Sequence, residues 1–119
     1  MEFRDTLITN VLTALRVRRS PFTYVFHTYI HANQKGVYAF WLQQLCLYVG
    51  MSKDLRKRIY VHRIREHNVR LGRYLSAFAQ DIEVAYVALK VNSDQELKEL
   101  EKETIRFLRP ATNIIHASS

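Results

Sequence analysis

The chain has 119 residues, 48% apolar and 24% charged, enough for one domain that buries its own core without disulfides or a structural metal. Its one cysteine, Cys46, lies in an apolar run and has no internal partner, so a buried thiol in a reducing compartment is expected. No apolar stretch approaches the roughly 18 residues of a membrane span, and the first ten residues carry acids where a secretory signal would be apolar; a soluble, cytoplasmic protein without membrane contact is expected.

Residues 2–19 place Phe3, Leu7, Ile8, Val11, Leu12 and Leu15 at helical spacing, which predicts an amphipathic helix ending before Ser20-Pro21. Residues 22–30, aromatic and β-branched, read as extended, and 33–36 supply a turn. Residues 37–42 and 45–49 read as two strands joined across Gln43-Gln44. Gly50-Met51-Ser52 is expected to break the second strand, with Ser52 capping a basic helix over 53–66. A short helix over 71–79 and a third strand over 82–89 follow. Asn92-Ser93-Asp94 can cap a last helix that runs to 108 and stops at Arg109-Pro110. The order predicts an α+β fold: a small three-stranded, mainly antiparallel sheet flanked by helices, with an extra N-terminal helix. Residues 1–34 form the N-terminal helix and extended segment, and 35–119 the rest of one compact domain.

Charge is unevenly placed. The net charge is +7 and the pI about 9.8. Residues 53–73 carry eight basic and two acidic residues, whereas 80–119 carry five basic and seven acidic. A clustered basic face suggests a polyanion, most often nucleic acid; the plain alternative is a solvated helix face.

Three weaker features accompany the charge. In the last helix Glu101 falls inside the apolar stripe of Leu97, Leu100, Thr104, Ile105 and Leu108. A carboxylate there either escapes to solvent or an arginine, or holds a hard cation. In the basic helix Leu55, Arg58, Ile59 and His62 share one face, so a guanidinium and an imidazole are projected together; both can equally fringe the core. Tyr38 and Tyr48 lie on adjacent strands, where a phenol either packs or, beside positive charge, handles a proton.

These features meet in one pattern. Gly36-Val37-Tyr38, nine intervening residues, then Tyr48-Val49-Gly50, resembles the two-part signature of the GIY-YIG nuclease family. Arg58 falls ten residues after Tyr48, and His62 one turn later, as in that family's following segment. Glu101 is followed by Ile105, Pro110 and Asn113 at the family's spacing. The resemblance covers residues 35–113. Met51 stands where the excision-repair members place a lysine, and no DNA-reading module such as a zinc finger is recognisable at either end.

The resemblance implies a metal-dependent DNA endonuclease that hydrolyses phosphodiesters by a one-metal mechanism. The catalytic residues implied are Tyr38, Tyr48, Arg58, His62 and Glu101. Glu101 would hold one divalent ion, Mg²⁺ or Mn²⁺; Arg58 a phosphate oxygen; one of the two tyrosines the attacking water, helped by His62. Gly36, Gly50 and Asn113 would support the site. Lys53, Arg56, Lys57, Arg63, Arg65, Arg70 and Arg73 are candidates for tracking DNA phosphates. The N-terminal helix either packs on the domain or contacts a second copy or a protein partner. The competing reading is a non-catalytic DNA-binding module that keeps the fold.

Overall fold

The computed structural model describes residues 3–22, 30, 33–64, 68–91 and 93–113. In chain order the elements are α1 (Phe3–Val17), β1 (Arg19–Pro21), β2 (Gly36–Leu42), β3 (Leu45–Ser52), α2 (Leu55–Ile64), α3 (Val69–Ala77), β4 (Ile82–Ala88) and α4 (Asp94–Leu108). The stretch expected to be extended over 22–30 lies, except for its two ends, outside the described residues.

The sheet has four antiparallel strands in the order β1-β4-β2-β3, where three were expected. The added strand is Arg19-Ser20-Pro21, which pairs with Ala85, Val84 and Glu83. It gives no sequence signal because it has no apolar alternation. An edge strand tolerates a proline, since one row of its backbone groups needs no partner.

Helices cover both faces. Ile8, Val11 and Leu15 of α1 and Leu97 and Leu100 of α4 pack against Val37, Ala39, Trp41, Val49 and Ala85. On the other face Leu55 and Ile59 of α2 and Leu71 of α3 pack against Tyr38, Phe40, Leu47, Ile82 and Val84. The central strand β2 is therefore buried on both sides nearly throughout, as strands covered on two faces are.

Two local readings need correction. Residues 50–52 do not break β3: Gly50, Met51 and Ser52 pair with Tyr38, Val37 and Gly36. Gly50 serves clearance, because a Cβ there would collide with the Tyr38 phenol. Nor does Ser52 cap α2. Its hydroxyl accepts the Asp54 N–H at 3.0 Å and donates to the Asp54 carbonyl, while the Asp54 carboxylate accepts the Lys57 N–H at 3.2 Å. The cap is thus two residues later than expected. Ser93 does cap α4, accepting the Glu96 N–H at 3.2 Å.

The β2–β3 hairpin carries a bulge between Phe40 and Trp41, so that Phe40 faces Tyr48 and Trp41 faces Cys46. Leu47 is the additional residue. Strict alternation from the turn would put Tyr48 on the face opposite Tyr38. The bulge shifts the count by one and sets Tyr48 on the same face. At the turn, Gln43 adopts a left-handed φ of 52°, and Arg19 of β1 donates to its carbonyl.

Candidate active site

β3 is an edge strand, and its outer backbone groups are met by side chains and by the segment after α4. Ala111 and Thr112 donate N–H groups to the carbonyls of Cys46 and Leu47 at 2.9 and 2.8 Å. Asn113 completes the run: its Oδ1 accepts the Val49 N–H at 2.9 Å, and its Nδ2 donates to the Val49 carbonyl at 2.8 Å. The next outward donor, Met51 N–H, bonds the carboxylate of Glu101. The edge thereby brings α4 to the place where α2 approaches from the other face.

On the α2 side, Tyr38 Oη and His62 Nε2 are 2.5 Å apart and buried. The His62 ring lies 5.4 Å from the Tyr38 ring, 5.2 Å from Tyr48 and 5.1 Å from Phe40. The two tyrosine rings are 6.1 Å apart. Tyr38 is fully buried, whereas Tyr48 keeps part of its surface in solvent. The exposed Arg58 guanidinium hydrogen-bonds the Tyr38 hydroxyl. Leu55 and Ile59 anchor the helix beneath these groups. Gly36 lets the start of α2 come close: a Cβ there would strike the Val87 carbonyl and the Leu55 side chain.

Electrostatics link the two helices. Burial pushes the Tyr38 phenol well above its ordinary value, the neighbouring Tyr48 adds to this, and Arg58 opposes it. Burial likewise raises the Glu101 carboxyl, against the Met51 hydrogen bond and the charges of Arg58, Lys98 and Lys102. Glu101 is thus a half-buried carboxylate left short of solvation in a positive field. Arg58 acts on both Tyr38 and Glu101, and Tyr38, Tyr48 and His62 lie in ring contact with one another.

The basic residues fall into separate groups. Arg56 and Lys57 on α2 and Arg70 and Arg73 on α3 are exposed. Lys53 is exposed and paired with Asp94 at 2.9 Å. Arg65 and the side chain of Arg63 lie outside the described residues. Three contributors were not singled out from the sequence. Lys98 and Lys102 add to the field at Glu101, and their spacing of three residues before and one after it was the available signal. The Met51 N–H is a backbone group, and no sequence pattern marks it.

A three-layer domain whose open sheet edge gathers one carboxylate, one guanidinium, one imidazole and two phenols has the architecture of a nuclease catalytic domain. The chain belongs to the GIY-YIG family of endonucleases: the GIY-YIG catalytic domain matches residues 26–113. No curated protein matches it. Among solved structures it is similar to the GIY-YIG N-terminal endonuclease domain of UvrC from Thermotoga maritima. The form bound to its catalytic divalent cation, magnesium, is 22% identical with a TM-score of 0.56, covering 74% of this chain and 91% of that one. A tyrosine-to-phenylalanine mutant of that domain, also cation-bound, is 20% identical with a TM-score of 0.57 and covers 75% and 91%. At these identities the likeness is one of fold.

Proposed function

We propose that this chain is a DNA endonuclease that hydrolyses phosphodiester bonds with one divalent ion, Mg²⁺ or Mn²⁺. The observation that carries the reading is the buried Tyr38–His62 pair, with Arg58 acting electrostatically on both Tyr38 and Glu101 from the opposite helix.

The residues fit such an ion. Glu101 is short of solvation and has one backbone donor on it, which leaves carboxylate lone pairs for a cation. Among the described residues no group of three His, Cys, Asp or Glu side chains could hold a metal. That suits a hard cation that keeps most of its water and takes one protein carboxylate plus substrate phosphate. When bound, it would supply Lewis-acid stabilisation of the leaving oxygen.

The chain's own residues do the rest. Arg58 binds a non-bridging oxygen and meets the negative charge that grows in the transition state. Tyr48, partly open to solvent, is the phenol an attacking water can reach. Tyr38 is sealed from water and bonded to His62, so it orients the imidazole and holds the far end of the proton path. Asn113 positions the strand edge beside Gly50 through its two bonds to Val49. Lys53, Arg56, Lys57, Arg70 and Arg73 give salt-dependent affinity for the DNA backbone.

The cytoplasmic location expected from the sequence belongs to this proposal; among the described residues no helix is long and apolar enough to cross a membrane. A second copy or a protein partner on α1 would use its outer face, because Ile8, Val11 and Leu15 are buried in the domain. Cleavage of supercoiled plasmid and branched duplexes with Mg²⁺, Mn²⁺ or EDTA tests the reading against Glu101→Ala. Metal-dependent cutting lost in the variant is expected; equal cutting by both proteins, or binding with no cutting on any substrate, would refute it.

A further inference from the structure

At the hairpin end of the sheet, about 10 Å along α4 from Glu101 at 1.5 Å per helical residue, lies a second feature with a different composition. A cavity of about 560 Å³ is lined by Arg16, Arg19, Trp41, Gln44, Phe107 and Leu108, together with Cys46. The volume falls in the roughly 300–1,000 Å³ of small-ligand clefts. Among the described residues no carboxylate lines it.

The C-termini of α1 and α4 meet there. Arg16 and Arg18 are exposed beside one, and Arg106 and Arg109 beside the other. The two pairs are far apart in sequence, so no single charge window spans both. Basic residues at helix C-termini offset the helix dipole, which accounts for Arg16 and Arg106 singly. It does not account for a cavity between them walled by Phe107, a large aromatic residue left 55% exposed. The Arg19 guanidinium lies 3.9 Å over the Trp41 ring and donates to the Arg16 and Gln43 carbonyls. Its ion pair with Glu83 is long at 3.8 Å. Beneath it, Trp41 Nε1 is a buried donor with no hydrogen-bond partner among the described residues, which is costly.

We propose that this cavity binds one nucleotide unit of nucleic acid, outside the catalytic cluster. The phosphate lies against Arg16 and Arg19, and the base against the exposed ring of Phe107. Guanidinium groups recognise phosphate through paired N–H donors, and aromatic rings stack on any base. The site would anchor a strand near the scissile phosphate, so its purpose rests on the nuclease reading while its binding does not.

Trp41 is the chain's single tryptophan, so its fluorescence reports the cavity directly. The experiment titrates full-length Glu101→Ala protein, without metal, with inorganic phosphate, deoxyadenosine monophosphate, a short oligodeoxynucleotide and poly-glutamate. The mononucleotide and the oligonucleotide are expected to change the Trp41 emission at lower concentration than phosphate does. Arg16→Glu and Phe107→Ala, both at exposed positions, should each weaken that response by about tenfold or more, the scale of a lost charge-assisted or stacking contact. Lys90→Glu, at an exposed position beyond the other end of β4, should leave the mononucleotide response unchanged. The proposal is overturned by an unresponsive Trp41, by equal weakening in Lys90→Glu, or by an equal response to poly-glutamate, which would mark an acidic-protein surface. Plasmid cleavage by the wild-type chain is scored separately: no cleavage with an intact Trp41 response would sink the nuclease reading alone.

Discussion

The two faces of the sheet are built from different materials. The face under α1 and α4 is mostly aliphatic, with Val11, Leu15, Val37, Val49, Leu97 and Leu100 at its centre. The face under α2 and α3 gathers Phe22, Tyr38, Phe40, Tyr48, Tyr74 and Tyr86, with His62 against Tyr38, Phe40 and Tyr48. Among the described residues the core of the first face holds no phenol or imidazole. The second carries phenol and imidazole groups that are buried in contact with one another. Stability and chemistry are thus divided between opposite sides of one sheet, and the β3 edge is where the aliphatic side lends the chemistry a single residue, Glu101.

Substitutions can break that division. The largest effect is expected at Glu101. Glu101→Gln should abolish metal-dependent cleavage in a plasmid assay. In EDTA it should also raise the melting temperature near neutral pH. The sign follows from burial. A carboxyl held above its ordinary value is costly to fold in its charged form. That cost is present above the raised value and fades as pH falls toward the ordinary carboxylate range, where folded and unfolded chains are both protonated. The melting gain should therefore shrink at about pH 4. A variant no more stable than wild type at neutral pH would contradict the burial argument.

Next come Arg58→Ala and Tyr48→Phe. Loss of Arg58 should lower the cleavage rate about 10²–10³-fold, the range for removing one preorganised charge-stabilising donor. Tyr48→Phe should cost about 10²–10⁴-fold, and more than Tyr38→Phe, if water is handled by the solvent-reachable phenol. The reverse order in single-turnover rates would exchange the roles of the two tyrosines.

A stability contrast sharpens the comparison. Leu97→Ala on the aliphatic face should cost about 2–5 kcal/mol in urea unfolding. The folded fraction should keep its specific activity at low temperature. If that activity falls with the packing, the two faces are not separable.

The smallest effect concerns the strand edge. Asn113→Ala leaves the part-buried Val49 N–H and carbonyl without their side-chain partners. A cost of about 1–3 kcal/mol in urea unfolding is expected, with cleavage reduced through misplacement of the neighbouring edge. Unchanged unfolding would show that water replaces the amide.

Much of the fold is legible in the chain. The helical stripes of α1 and α4 follow from the spacing of Leu7, Val11 and Leu15 and of Leu97, Leu100 and Leu108. The β2–β3 pair follows from two apolar runs around Gln43-Gln44. The strand β1 was not legible, because Arg19-Ser20-Pro21 has no alternation and owes its strand to the edge of β4. The end of β3 was misread for a related reason: a glycine that makes room for a buried ring looks, in sequence, like a glycine that makes a turn.

The candidate site divides in the same way. Residue identities and spacings determine that Glu101 interrupts an apolar stripe and that Arg58 and His62 share one side of a helix, since helical geometry is local. They do not determine that Tyr38 and Tyr48 share a face, because a one-residue bulge reverses the alternation. Nor do they bring Glu101 to Arg58. Those two residues sit on helices that pack on opposite faces, and Arg58 acts on Glu101 across the edge of the sheet because β3 is its last strand. Strand order is a long-range property, set by which surfaces the whole chain can bury together, and no window of sequence contains it.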